Sequence, residues 1–182
     1  MKITLNKILT IISVTSVLAS PMTHAEAEPG QIHFEGAVTA TPCGIVPESL
    51  NQVVPFGQVS QANLLNGGAS QRQDFEIRLV NCTFGPDDNK KVSITFSGNT
   101  TSGFANELKT IGGSGDTVVK LYDNNDNLVD FDVPLADVDL VAGNSNQNIL
   151  HFSAEVAMSK QDGATVKEGE FEATSTFTLD YN

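Results

Sequence analysis

Tryptophan is absent from the 182-residue chain, and tyrosine and cysteine occur twice each. Without tryptophan the core cannot be the antibody-domain core, which packs that ring on its disulfide. The commonest platform for stacking a sugar is missing too. Basic residues are scarce: 10 Lys and Arg stand against 22 Asp and Glu. That balance argues against nucleic acid or an anionic membrane as partner and reads most simply as a solvated acidic surface. Histidine occurs only at His24, His33 and His151. Neither His33 nor His151 stands in a motif with a serine or cysteine nucleophile, so no catalytic residue is assigned. Cys43 and Cys82 lack the spacing of zinc ligands, and neither a metal nor a cofactor is expected.

What is present begins with a leader. Lys2 and Lys7 open the chain, Ile8 to Ala19 is an apolar run shorter than a membrane span, and Thr23-His24-Ala25 offers small residues for cleavage. Together they read as a secretory signal peptide over residues 1–25, with Ala19 and Ala27 as alternative cleavage points. Losing Lys2 and Lys7 takes the 10 basic residues to 8, so the net charge of the mature chain is 8 − 22 = −14. Glu26 to Asn182 is about one domain long. In an exported protein an even cysteine count predicts one disulfide, Cys43 to Cys82, with two separate buried thiols as the alternative.

The mature chain alternates with a period of two. In "QIHFEGAVTA" Ile32, Phe34, Gly36, Val38 and Ala40 share one parity. "QDFEIRLVNC" places Phe75, Ile77 and Leu79 together, and "KVSITFSG" does the same with Val92, Ile94 and Phe96. "TVVKLYD" runs into the polar turn "NNDN" and then "LVDFDV", while "NILHFSAEVAM" alternates from Leu150 to Met158. In "GEFEATSTFTLDYN" Phe171, Ala173, Ser175, Phe177, Leu179 and Tyr181 share a face. These are half-buried strands. "QVVPFGQV", with Pro55 and Gly57, reads as a broken, kinked edge strand. "PESLNQ" and "SQANLLNG" each have room for one helical turn. Short strands at this spacing predict an all-β, immunoglobulin-like sandwich.

Two polar stretches resemble ligand loops without matching one. "GGSGD", Gly112 to Asp116, lacks the spacing of a phosphate loop and reads as a flexible loop. "DNNDN", Asp123 to Asn127, has Leu128 where a calcium loop needs glycine and no glutamate at the twelfth place. A hairpin turn is the better reading.

In order, "GQIHFEGAVTATPC", "PFGQV", "FEIRLVNC" ending at the second cysteine, "ITFSG", a glycine at Gly169 and a penultimate Tyr181 resemble the pilin subunits of chaperone–usher fimbriae. The resemblance covers nearly the whole mature chain. It implies an incomplete immunoglobulin-like sandwich that lacks its final strand, a pilin domain over 42–182, and an N-terminal donor-strand extension over 26–41. It implies polymerisation by donor-strand exchange. The partners would be neighbouring pilin subunits, a periplasmic chaperone and an outer-membrane usher, with export through the periplasm to the cell surface. Gly169, Phe171, Ala173, Phe177, Leu179, Tyr181 and Asn182 would form the edge that meets first the chaperone and then the incoming strand. The Asn182 carboxylate would be gripped by basic chaperone residues.

A missing strand gives "QIHFEGAVTA" its task. Its apolar parity supplies side chains for a groove, Gly36 permits close backbone approach, and ten residues at ~3.3 Å each reach along one sandwich edge. Single-domain length with such an extension favours a rod or adaptor subunit. The bland alternative is that this stretch is simply the first strand of a self-complete exported sandwich binding a ligand or carbohydrate.

Overall fold

The computed structural model describes residues 30–85, 90–143 and 148–182. The signal-peptide reading and residues 26–29 lie outside them. The chain divides into a first unit through Ala37 and a second from Val38 to Asn182. In the first unit, residues 30–37 belong to no helix or strand, and Ile32 and Phe34 are exposed.

The second unit is built from short antiparallel strands. They are β1 (Gly44–Ile45), β2 (Gln73–Val80), β3 (Lys91–Gly98), β4 (Thr100–Thr101), β5 (Phe104–Lys109), β6 (Ile111–Gly112), β7 (Thr117–Tyr122), β8 (Val138–Asp139), β9 (Ile149–Met158), β10 (Phe171–Glu172) and β11 (Ser175–Tyr181). One sheet has the order β1-β2-β9-β7-β5-β4, a second β11-β3-β8, and β10 pairs with β6. The two helical turns appear as α1 (Pro47–Leu50) and α2 (Gln61–Leu65). Ser60 caps α2 by accepting a hydrogen bond from the Asn63 amide.

The alternating parities meet between the sheets. Ile77 and Leu79 of β2, Leu121 of β7, and Leu150, Phe152 and Val156 of β9 are buried with Val92, Ile94 and Phe96 of β3. Phe96 stands edge-on to Phe152 at 5.0 Å between ring centres, and Phe75 lies 5.5 Å from Phe152. Such pairs add about 0.5–1.5 kcal/mol beyond area burial.

Cys43 and Cys82 are joined in a disulfide. It sits where β1 pairs with the end of β2, and the Thr83 amide donates to the Pro42 carbonyl at 2.9 Å beside it. Asn148, itself buried, donates from Nδ2 to the Val141 carbonyl and to Cys82 Sγ.

Three stretches differ from their sequence pattern. "LVDFDV" forms no strand. Leu128 makes one bridge to Tyr122, and the chain then crosses between the sheets, Phe131 donating to the Ala105 carbonyl and Asp132 to that of Phe96. Val129 and Phe131 are buried as plugs in that crossing. "QVVPFGQV" is irregular rather than a kinked strand, with Gly57 at φ +62°. "GGSGD" is pinned by hydrogen bonds: Gly113 donates to the Glu170 carbonyl, Asp116 to that of Thr165, and Lys167 to that of Ser114. "DNNDN" is the expected turn. The Asp123 carboxylate accepts from the Asn125 and Asn127 amides and from Asn127 Nδ2.

The disulfide closes a loop with a sequence separation of 39, which the chain-entropy estimate values at ~4 kcal/mol. Replacing Cys43 and Cys82 together with serine should lower the unfolding free energy by up to about that amount. Chemical denaturation of the two proteins checks it, and superimposable curves would refute a stabilising role.

Candidate subunit-docking groove

The apolar face of the last segment borders a groove. A cavity of about 740 Å³ is walled on one side by residues 49–54 and Phe56, and on the other by Phe171 to Phe177. Its floor includes Phe75, Ile77, Phe96 and Leu121. A second cavity of about 1020 Å³ continues it between residues 54–59 and 166–171, with the more polar Gln61, Ser114 and Thr117 on its lining. Phe56 and Phe171 line both, and their rings approach to 6.1 Å across the groove.

The main chain of the β11 wall is half satisfied. β11 pairs with β3 in the register Phe177↔Phe96, Leu179↔Ile94 and Tyr181↔Val92, and with no other strand among the described residues. Asn182 and Lys91 exchange both backbone hydrogen bonds, at 3.1 and 3.3 Å. In an antiparallel ladder such pairs alternate with non-bonded ones. Residues 176, 178 and 180 therefore spend their N–H and C=O groups on β3. Those of Ser175, Phe177, Leu179 and Tyr181 point the other way, along the groove. Farther along, on the wall opposite residues 166–173, Val53 to Val59 make no backbone hydrogen bond to another described residue. Both walls present unpaired peptide groups beside an apolar floor.

The expected groove residues separate into two sets. Phe171, Ala173, Phe177, Leu179 and Tyr181 are half-buried and pack on the core. Burial pushes the Tyr181 phenol above its ordinary value, so it stays neutral. Asn182 is exposed, and its Nδ2 donates to Asp137 at 3.2 Å. Gly169 serves the wall by lacking a side chain. Its φ is +155°, and a Cβ there would sit 2.6 Å from the Gly113 carbonyl carbon. The 111–117 loop and the 165–172 arm thus meet backbone to backbone. The opposite wall was not assigned as groove from sequence. Its signal was "PFG", a proline and a glycine breaking an apolar run. Of the histidines, His33 is exposed near Glu35, and His151 lies 3.8 Å from Glu76.

The fimbrial protein family model matches residues 32–182. The chain belongs to this family. It is 37% identical over 158 residues to the Pap fimbrial major pilin protein of Escherichia coli, covering 84% of this chain and 83% of that one. It is 34% identical over 179 residues to the major MR/P fimbria protein of Proteus mirabilis, covering 97% and 98%. The fold matches the crystal structure of the P pilus rod subunit PapA with a TM-score of 0.71 at 34% identity, over 78% of this chain and all of that one (100%). It matches a subunit in a structure of a chaperone–usher pilus with a TM-score of 0.76 at 32% identity, over 90% and 100%. This pilin is a structural subunit of a surface fimbrium, not an enzyme, and its partners are other pilus subunits. A self-complete ligand-binding sandwich is not favoured.

Gly169→Ala should force the 165–172 arm away from the 111–117 loop and cost at least about 1 kcal/mol, because alanine at positive φ is strained. Urea unfolding measures the loss. Wild-type stability in that variant would show that the close approach is dispensable.

Proposed function

We propose that this pilin polymerises by donor-strand complementation. Residues 26–41 of one subunit, freed by removal of residues 1–25, enter the groove of the next. The observation that carries the reading is the unpaired edge of β11 beside an apolar floor. Backbone hydrogen bonds from an added strand supply affinity there, and alternate side chains fill the pockets. The alternation from Ile32 to Ala40 and the exposure of Ile32 and Phe34 suit such a strand. Donor and acceptor surfaces differ, so the contact is heterologous and propagates into a filament.

Before assembly the same groove needs a temporary strand. A periplasmic chaperone supplies it and holds the Tyr181–Asn182 end, and exchange takes place at an outer-membrane usher. The subunit belongs to the rod, a reading supported by relatives that are themselves named major pilins or rod subunit.

Phe34→Asp would set an unpaired carboxylate in an apolar pocket, a cost of several kcal/mol. It should abolish incorporation while leaving the 42–182 domain folded. Electron microscopy of cells expressing the variant checks this, and fibres in normal number would overturn the donor role. Deleting Tyr181 and Asn182 should cut recovery of the chaperone complex from the periplasm, and unchanged co-purification would refute that contact.

A further inference from the structure

Beside the disulfide, away from the groove, runs a short segment that belongs to no strand. Cys43 and Cys82 are each 2% exposed. Three contacts hold residues 140–143 next to them. Leu140 is buried, and its amide donates to the Lys90 carbonyl at 2.6 Å. Gly143 and Cys82 exchange both backbone hydrogen bonds, at 2.7 and 3.1 Å, as an isolated bridge. Between these two, Val141 finds no backbone partner among the described residues. The Asn148 side chain takes both its peptide groups instead. Oδ1 accepts from the Val141 amide at 2.8 Å, and Nδ2 donates to the Val141 carbonyl at 2.7 Å. Nδ2 also donates to Cys82 Sγ at 3.3 Å. Both Nδ2 protons and Oδ1 are thus spent on the segment and the disulfide. Asn148 is 2% exposed, and its own carbonyl accepts from the Leu79 amide at 2.9 Å, which continues the β2–β9 ladder past Arg78↔Ile149. The side chain is a pin fixed in the sheet and reaching outward.

We infer that residues 140–143 form a strap, pinned by Asn148, that shuts the Cys43–Cys82 disulfide off from thiol reductants. Reduction begins when a thiolate reaches one sulfur. It forms a mixed disulfide with that cysteine and expels the other as a thiolate. A dithiol such as dithiothreitol then closes on itself, releases the second cysteine and ends oxidised. Burial of both sulfurs blocks the first step. On their other sides the cysteines flank the β1–β2 ladder and pack in the core cluster, which part only when the domain unfolds. The strap carries one isolated bridge, one bond to Lys90 and one side-chain clamp. So few bonds open locally at far lower cost than the whole domain. Asn148 sets that cost and is therefore a positioning residue for the disulfide.

Reduction of assembled fibres tests the strap. Fibres of the full chain are held in dithiothreitol without denaturant, quenched with a maleimide, and scored for free thiols by mass. Asn148→Ala removes the clamp and leaves the Val141 N–H and C=O to water. Losing two hydrogen bonds of ordinary net strength should speed reduction about tenfold or more. Ser60→Ala is the comparison, because it removes the α2 cap and weakens the domain without touching the strap. Its fibres should be reduced at the wild-type rate to within about twofold, since local opening does not wait on global stability. Equal acceleration in both variants would mean that reduction waits on unfolding of the whole domain. No acceleration in Asn148→Ala would mean that the side chain pins nothing. Either result overturns the inference. Wild-type fibres give a second measure should the alanine variant form none. The Val141 and Gly143 amides should exchange with deuterium before half of the disulfide is reduced, and those of β9, between β2 and β7, only afterwards. Reduction while Val141 and Gly143 are still protected, or only after β9 has exchanged, overturns the strap.

Discussion

The peptide groups of Ser175, Phe177, Leu179 and Tyr181 turn away from β3 and find no second strand among the described residues, and much else in this pilin follows from that. A buried peptide group left unpaired costs about 1–3 kcal/mol, so an edge of this length cannot close over without a partner. Water can satisfy the groups only while the groove stays open, and an open groove leaves Phe56, Phe75, Phe171 and Phe177 no more than half-buried along it. Hydrogen bonding and apolar burial therefore ask for the same thing, an added strand with alternating side chains.

Each groove wall is held by contacts lying outside the groove. The wall of residues 49–59 begins just beyond the disulfide and is tied to β2, where Gln52 Nε2 donates to the Glu76 carbonyl at 2.8 Å. The opposite arm is held by the 111–117 loop through backbone hydrogen bonds and through the absence of side chains at Gly113 and Gly169. Gln61 of α2 adds a bond to the Val166 carbonyl at 2.8 Å. A gap can persist in a folded domain when its borders are braced from behind.

Charge acts at another level. An excess of 22 acidic over 10 basic residues discourages indiscriminate edge pairing, since like-charged surfaces repel. The groove floor carries none of that charge. On the donor-strand proposal, attraction between subunits falls on this apolar groove, which suits a head-to-tail filament.

Several elements were legible in the chain because their residues alternate and their ends carry turn chemistry. β2, β3, β7 and β9 lie where the parities of Phe75–Leu79, Val92–Phe96, Thr117–Tyr122 and Leu150–Met158 place them, whereas the last run, one parity from Phe171 to Tyr181, is broken at Ala173 and Thr174 into β10 on β6 and β11 on β3. The cysteine pair was legible too, because an exported chain with two thiols has one simple pairing. Residues 128–133 were not, since an apolar run that plugs a crossing between sheets looks locally like one that pairs. Nor was the 53–59 wall, because the partner that would order it belongs to no segment near it in sequence. Side-chain parity and cysteine count are local properties, and they determined the strands, the disulfide and the apolar face of the last segment. Which edge stayed unpaired, and that Gly113 and Gly169 meet to brace it, was decided only when distant segments came together, because a free peptide group is defined by the neighbour it lacks.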